Sequence, residues 1–250
     1  MEKEGILLYS LPNLIKGKIM NRPSKQCKSP YVADVCINDM EVIAHAPSLG
    51  CCGYSDKGEY IYMVPHKNPK TCSHVIHLAH REERGNSYLI GVHPKSAEKI
   101  VEICLNKGCI FSLESLSEIE REKTYFNSRF DFVCKDKEGR QTIIEVKNVP
   151  CGDYEDIFAK DRKKKDYSNR NINSKIAYFP DGYRKKNTET VSPRALKHIQ
   201  ELQRLKEQNK SFRTIIIFVI QRMDCAYFQG SNVDPIYKKA LNEAQKNGVE

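Results

Sequence analysis

Two carboxylates and a lysine lie close together in one segment of the sequence. Asp131 belongs to the run Arg-Phe-Asp-Phe-Val-Cys at residues 129–134, and Glu145 and Lys147 belong to Thr-Ile-Ile-Glu-Val-Lys at residues 142–147. Carboxylate oxygens are preferred ligands of hard cations such as Mg²⁺. A metal held this way activates water and neutralises charge on a phosphate, while a nearby ammonium stabilises the transition state. These residue types therefore predict a site that cleaves phosphodiester bonds with Mg²⁺ or Mn²⁺.

A β-hairpin is the element that would bring these residues together. Residues 136–140, Asp-Lys-Glu-Gly-Arg, have the composition of a turn between two strands. Alternation along a strand puts Glu145 and Lys147 on one face, and a turn centred near Glu138 puts Asp131 opposite Glu145. Facing carboxylates repel each other, so a cation between them is expected. The alternative is that the three residues form only a structural ion cluster.

The hairpin also belongs to a longer series of short motifs. They include Asn-Ser-Arg-Phe-Asp-Phe at 127–132, Ile-Glu-Val-Lys-Asn-Val at 144–149, Phe-Pro-Asp at 179–181, Arg194 with Lys-His at 197–198, Ile-Phe-Val-Ile-Gln-Arg at 217–222 and Asp-Pro-Ile-Tyr at 234–237. In combination they resemble the sugar fermentation stimulation protein A family. The resemblance implies DNA binding, an OB-like N-terminal domain and a C-terminal domain similar to PD-(D/E)XK nucleases. It carries the catalytic positions over to Asp131, Glu145 and Lys147.

The fold class expected from these patterns is α/β, or α+β over the whole chain. Short apolar runs broken by Gly, Pro and Asn predict an all-β unit, which the resemblance makes an OB-like β-barrel over residues 1–94. Residues 95–250 would then form a nuclease-like domain of mixed sheet and helices, with a basic insertion near 152–190. Helices are predicted to begin at Ser96, Ser192 and Asp234, and a buried strand to span 214–220.

The helix that begins at Ser96 carries one further candidate ligand. Nuclease-like folds often use an acidic residue from the helix before the hairpin, and Glu102 lies within this helix. A metal set of Asp131, Glu145 and Glu102 is therefore predicted. The alternative for Glu102 is an ordinary solvated helix glutamate.

Basic residues are concentrated after the hairpin. The net charge is +9, and residues 158–187 contain ten Lys or Arg against three Asp. Clustered basic side chains bind nucleic-acid phosphates without reading sequence, so DNA, double- or single-stranded, is the expected partner. The alternatives are a solvated loop or a nuclear-localisation-like patch. The candidate DNA contacts are Lys16, Lys18, Arg22 and Tyr31 in the first domain and Arg162, Lys163, Lys164, Lys165, Arg184, Lys185 and Lys186 in the second.

The cysteines and apolar runs indicate the compartment. Ten cysteines in 250 residues are few for a disulfide scaffold, and no apolar run has the length of a membrane span. The N-terminus lacks the pattern of a signal peptide. We expect an intracellular protein, cytoplasmic or nuclear in a eukaryotic host, with no membrane association; a homodimer is left open. A zinc site from Cys51, Cys52, Cys72, His74, His77 and His80 was weighed, but adjacent cysteines are not the usual ligand spacing.

The sequence thus favours a DNA-binding protein that acts as a metal-dependent nuclease. A non-catalytic DNA-binding regulatory protein that keeps the nuclease-like fold is the main alternative, and a structural or RNA-binding module is a more distant one.

Overall fold

The computed structural model describes residues 6–49, 51–181 and 190–250. The strands are β1 Ile15–Asn21, β2 Val32–Ile37, β3 Met40–His45, β4 Tyr60–Pro65, β5 His74–Glu83, β6 Asn86–Gly91, β7 Ser117–Tyr125, β8 Ser128–Lys135, β9 Gln141–Val149, β10 Gly152–Asp153, β11 Lys175–Phe179, β12 Arg213–Ile220 and β13 Cys225–Gly230. The helices are α1 Pro94–Lys107, α2 Ala159–Arg162, α3 Pro193–Gln208 and α4 Pro235–Lys246. None of the helices described is long and apolar enough to cross a membrane.

The first six strands form one curved sheet, in the order β3-β2-β1-β4-β5-β6. An additional parallel pairing of β3 with β5 closes five of these strands into a ring. Alternate side chains of the strands point inward and form an apolar core around Ile61, Met63 and Ile76, all fully buried. This ring and the adjoining strand β6, together residues 15–91, occupy the part of the chain for which the OB-like barrel is expected.

The second sheet has four strands in the order β12-β9-β8-β7. Its central strand β9 pairs antiparallel with β8 and parallel with β12. One face packs through Phe132 and Ile144 against Val101 of α1. On the other side, Ile143 joins Ile199 of α3 and Tyr237 of α4 in a second apolar cluster. Strand β9 is therefore enclosed on both faces, which explains why the consecutive residues Ile143 and Ile144 are both fully buried.

A third, small sheet connects the other two. Its order is β10-β11-β13, and it contains a buried ion cluster in which Arg222 and Lys175 both pair with Asp224. The Tyr54 hydroxyl, from the ring, donates to the Gly152 carbonyl oxygen over 3.2 Å. These buried charges are tolerable because each has an opposite charge and hydrogen bonds.

The helices begin close to the positions predicted. Ser192 and Asp234 cap α3 and α4, each accepting from a backbone N–H three residues further on and each followed by proline. Helix α1 begins two residues earlier than predicted, at Pro94, and ends at Gly108 in the left-handed conformation. The mixed α+β class is confirmed, and the predicted boundary between domains near residue 94 stays a prediction.

Candidate active site

The hairpin of β8 and β9 has the predicted register. Phe132 pairs with Ile144 and Val133 with Ile143, so the next position outward sets Asp131 opposite Glu145. The Oδ2 atom of Asp131 accepts a hydrogen bond of 2.7 Å from the backbone N–H of Val146. The five-residue turn is fixed by Asp136, which accepts from the backbone N–H groups of Glu138 and Arg140. Turn chemistry at one end of the hairpin thus fixes the pair of carboxylates at the other.

Glu145 lies inside a cluster of polar side chains. It is only 3% exposed, and its Oε1 atom is in close contact with Nζ of Lys147 and Nδ1 of His198. The Lys147 Nζ atom also lies 3.5 Å from His198 Nδ1. The other carboxylate oxygen, Oε2, is buried without a hydrogen-bond partner among the described residues. An unsatisfied buried oxygen of a carboxylate is costly, and a bound cation would satisfy it.

The two facing carboxyl groups have different proton affinities. Burial, with the charge of Glu145 adding to it, raises the pKa of Asp131 from 3.8 to about 7. Burial also acts to raise the pKa of Glu145, but the hydrogen bond from His198 and the charge of Lys147 outweigh it, so that this pKa is lowered. Of the two facing carboxyl groups, Asp131 therefore has a pKa above its usual value and Glu145 a pKa below it.

A cavity of about 350 Å³ opens beside Asp131, where α1 and α3 approach the same end of the sheet. Glu98 of α1 lines it and acts to raise the pKa of Asp131. Glu102, the helix acid predicted from sequence, lies one turn further along and is paired with Lys99 at 2.8 Å and Arg121 at 3.1 Å. The structure thus brings Glu98, and not Glu102, together with Asp131.

The mouth of this cavity is basic. Lys95, Arg129 and Arg194 line it. Lys95 and Arg129 both pair with Glu122, at 3.2 Å and 3.4 Å. Arg194, an exposed residue of the first turn of α3, has no ion pair with any residue that the structure describes. A carboxylate-rich interior with a free guanidinium at its edge suits a metal ion and a phosphate side by side.

The candidate DNA contacts of the first sheet divide into two kinds. Lys16 and Lys18 are exposed, and both ammonium groups lie over the Tyr60 ring, at 5.0 Å and 5.5 Å from its centroid. Tyr31 is 44% exposed, as a stacking platform must be. Arg22 differs, because its guanidinium donates to the backbone carbonyls of Pro30, Ser48 and Ser55. It is committed to holding loops together.

The basic residues at 162–165 also differ from one another in exposure. Arg162 points inward, where it pairs with Asp153 at 3.0 Å and donates to the Tyr178 hydroxyl at 3.0 Å. The next three residues are exposed; Lys164 pairs with Asp161 and Lys165 with Glu155, leaving Lys163 at the edge of a separate cavity. Arg184, Lys185 and Lys186 lie outside the described residues.

Three residues at the site, Glu98, His198 and Arg194, were not predicted as site residues. Glu98 falls on the buried stripe of α1 with Val101 and Leu105, and His198 falls on the buried stripe of α3 with Ala195 and Leu202. A polar residue at a position where an amphipathic helix should carry an apolar one indicates a buried polar site, and this pattern could have identified both residues. Arg194, like His198, belongs to the motifs that carry the family resemblance, which assigned it no role.

A four-stranded sheet between helices, with a hairpin that presents two carboxylates and a lysine, defines a mixed α+β fold with a candidate metal site. The model of the "Sugar fermentation stimulation protein RE domain" family matches residues 95–159 and 166–250. The chain belongs to the sugar fermentation stimulation protein family. A homolog from Shewanella baltica is 30% identical over 247 residues, covering 96% of this chain and 88% of the relative. One from Jannaschia sp. is 28% identical over 242 residues, covering 95% and 86%.

A solved structure shares the fold. The structure of Pyrococcus furiosus SfsA in complex with Ca²⁺ superposes with a TM-score of 0.75 at 20% identity, covering 98% of this chain and 90% of that one. The similarity extends over both the ring and the helix-flanked sheet.

The shifted pKa of Asp131 predicts how stability depends on pH when no divalent metal is bound. Between pH 3.8 and about 7 the native state keeps a proton that the unfolded chain has released. The free energy of unfolding should therefore fall as pH rises through this interval and stay constant above it. The total fall should be about 1.4 kcal/mol for each unit by which the native and unfolded pKa values of Asp131 differ. Asp131→Asn should remove this component, measured by urea unfolding in EDTA at about pH 5 and about pH 8.

Asp136→Asn is the matched control. Asp136 lies in the same hairpin, and hydrogen bonds from Arg140 overcome the effect of its burial and lower its pKa. Its contribution to stability is lost only as pH falls below the interval tested. An unchanged slope in Asp131→Asn would show that Asp131 does not hold the proton.

Proposed function

We propose that the protein is a metal-dependent nuclease that hydrolyses phosphodiester bonds in DNA. The observation that carries this proposal is the position of Asp131, which lines the cavity together with Arg194, directly opposite Glu145, whose Oε2 atom is buried without a hydrogen-bond partner among the described residues. A structural ion cluster would be expected to satisfy its own oxygens. An oxygen buried without a partner favours a bound cation.

The donor atoms fit a hard divalent cation. Asp131, Glu145 and Glu98 offer only carboxylate oxygens, the ligands that Mg²⁺ and Mn²⁺ prefer. The P. furiosus relative was solved in complex with Ca²⁺, another oxygen-binding cation. When bound, such an ion would lower the pKa of a coordinated water and neutralise charge on the scissile phosphate.

The residues around Glu145 have distinct roles in this proposal. His198 and Lys147 keep Glu145 ionised, because both present a nitrogen to Oε1 and leave Oε2 for the metal. Lys147 is 12% exposed through its side chain, so its ammonium also reaches the edge of the cluster. There it orients the attacking water and stabilises charge in the transition state. His198 is a positioning residue.

The basic rim would hold the DNA backbone. Arg194 forms bidentate hydrogen bonds with a phosphate most readily, since it gives up no ion pair with a described residue to do so. Exposed Lys163, and Lys16 and Lys18 on the ring, extend the positive surface. Contacts of this kind bind the backbone without reading bases.

The first expected outcome concerns cleavage. With Mg²⁺ or Mn²⁺ the wild type should nick plasmid DNA or degrade single strands, and Asp131→Asn should abolish this while DNA binding is kept. Lys147→Ala should bind metal but lose about 10²–10³ in turnover, as removal of one transition-state donor does elsewhere. Plasmid and oligonucleotide cleavage across several metals is the assay.

Equal residual cleavage by wild type and Asp131→Asn would indicate a contaminant. Absence of cleavage by the wild type with every metal, together with intact DNA binding, would replace the proposal with the non-catalytic DNA-binding protein.

A second expected outcome distinguishes two glutamates one turn apart on α1. Glu98→Gln should weaken Mn²⁺ binding by about tenfold or more, because Glu98 shares the cavity with Asp131. Glu102→Gln, the matched control, should leave Mn²⁺ affinity unchanged, since Glu102 does not line that cavity. Each glutamate is paired with a lysine and with Arg121, so the two variants lose similar ion pairs. Calorimetric titration measures both. The reverse order of effects would restore the ligand set predicted from sequence.

A third expected outcome concerns DNA affinity. If about five phosphates are neutralised, log affinity should fall with log salt with a slope of about −4 to −5, and Arg194→Ala should reduce that slope by about one. Lys164→Ala is the control, because Lys164 is already paired with Asp161. Fluorescence anisotropy in EDTA, where cleavage cannot occur, gives the slopes. A slope near zero would contradict the electrostatic account.

A further inference from the structure

Two thiols and a carboxylate meet where the ring contacts the small third sheet. The Sγ atoms of Cys52 and Cys151 and a carboxylate oxygen of Asp181 all lie within 4.8 Å of one another. They come from three segments: the turn after β3, the connection from β9 to β10, and the residues after β11. No other three His, Cys, Asp or Glu side chains among the described residues have ligand atoms this close together, and those of Asp131, Glu145 and Glu98 are spaced more widely.

We propose that Cys52, Cys151 and Asp181 bind a structural Zn²⁺ ion. Two thiolates select zinc over the hard cations of the hairpin site, the carboxylate is a third ligand, and a water molecule would take the fourth position of the tetrahedron. Ligands of a tetrahedral zinc with Zn–S bonds of about 2.3 Å lie roughly 3–4 Å apart, so small side-chain rotations suffice to close the cluster.

The carboxylate is already oriented toward the thiols. Its Oδ2 atom accepts hydrogen bonds from the backbone N–H groups of Cys51 at 2.6 Å and Cys52 at 2.8 Å. Its Oδ1 atom lies 3.8 Å from Cys52 Sγ. Cys51 and Cys52 have positive φ angles, 94° and 53°, a backbone conformation that is unfavourable for a residue other than glycine. The backbone is thus held in an unfavourable shape that presents both amides to Asp181.

A positively charged side chain lies near the proposed zinc site, whose net charge would be −1. Two thiolates, one carboxylate and Zn²⁺ leave a single negative charge, and Arg162 lies near it. The Arg162 guanidinium donates to the Tyr178 hydroxyl at 3.0 Å, and that hydroxyl lies 3.3 Å from Cys52 Sγ. Burial raises the pKa of the Cys151 thiol well above its usual value, so zinc would have to displace its proton.

This set differs from the zinc ligands weighed from sequence. His74 lies 2.8 Å from the Ser73 hydroxyl, His80 lies 2.7 Å from the Ser87 hydroxyl, and His77 stacks on His93. These histidines and Cys72 do not form a group with Cys52. Only Cys52 of the earlier set is retained, and its partners follow it by about a hundred residues or more in the chain.

Metal content and a thiolate-specific spectrum test the proposal. The full chain, purified with Zn²⁺ in the medium, should retain about one zinc per molecule. Exchange with Co²⁺ should give near-ultraviolet thiolate-to-cobalt absorption, which oxygen ligands at Asp131 and Glu145 cannot produce. Cys151→Ser should lose most of the zinc and about half of the absorption per cobalt, and Asp181→Asn should weaken zinc binding while keeping the hydrogen bonds to the Cys51 and Cys52 amides.

Two variants serve as controls. Cys134→Ser changes an equally buried thiol in the helix-flanked sheet, where it donates to the Thr142 carbonyl, and should leave zinc and cobalt spectra unchanged. Asp131→Asn should also leave the thiolate band unchanged. Circular dichroism confirms that each variant is folded.

Zinc content that survives Cys151→Ser, or folded wild type that binds Co²⁺ without a thiolate band, would overturn the proposal. Neither result bears on DNA cleavage.

Discussion

The helix-flanked sheet depends on one electrostatic constraint, the burial of an ionised carboxylate at Glu145. A carboxylate that is only 3% exposed is strongly unfavourable unless charge and hydrogen bonds compensate it. Lys147 from the same strand and His198 from α3 supply that compensation at one oxygen. The fold must therefore dock α3 on β9 in one particular register. Apolar contacts of Ile199 and Leu202 hold that register, and the polar cluster makes it specific.

This arrangement also explains why the two facing carboxyl groups, Asp131 and Glu145, differ in protonation. Glu145, held ionised, is ready to bind a cation, whereas Asp131 carries a proton up to about pH 7 until something offsets the adjacent charge. A divalent ion would do so, and binding would release that proton. The same ion would stand beside Arg194 and Arg129, whose side chains suit phosphate oxygens. In the proposed site, metal affinity, proton release and substrate binding would thus be linked through one pair of residues.

Local sequence predicted the hairpin well, because turn composition and strand alternation are local properties. The register that sets Asp131 opposite Glu145 follows from the five residues of the turn. The choice between Glu98 and Glu102 was not accessible in this way, since both lie on one helix and only its docking on the sheet decides which reaches the cavity. His198 contacts a residue 53 positions earlier, and no local pattern encodes that distance.

Charge clustering was the least specific guide. Arg162 belongs to a basic run but is turned inward by Asp153 and Tyr178, and Arg22 is engaged by three carbonyls. A count of lysines and arginines measures net attraction to DNA, and tertiary contacts decide which of them remain available. The isolated Arg194 matters more to the proposed site than the conspicuous run at 162–165.

The central claim, that Asp131 and Glu145 form a hard-metal site, is tested most directly by anomalous diffraction from crystals soaked in Mn²⁺. The account predicts an anomalous peak within coordination distance of the Asp131 carboxylate and of Oε2 of Glu145, and loss of that peak in Asp131→Asn. A wild-type crystal with Mn²⁺ bound elsewhere and no peak between these two carboxylates would contradict it.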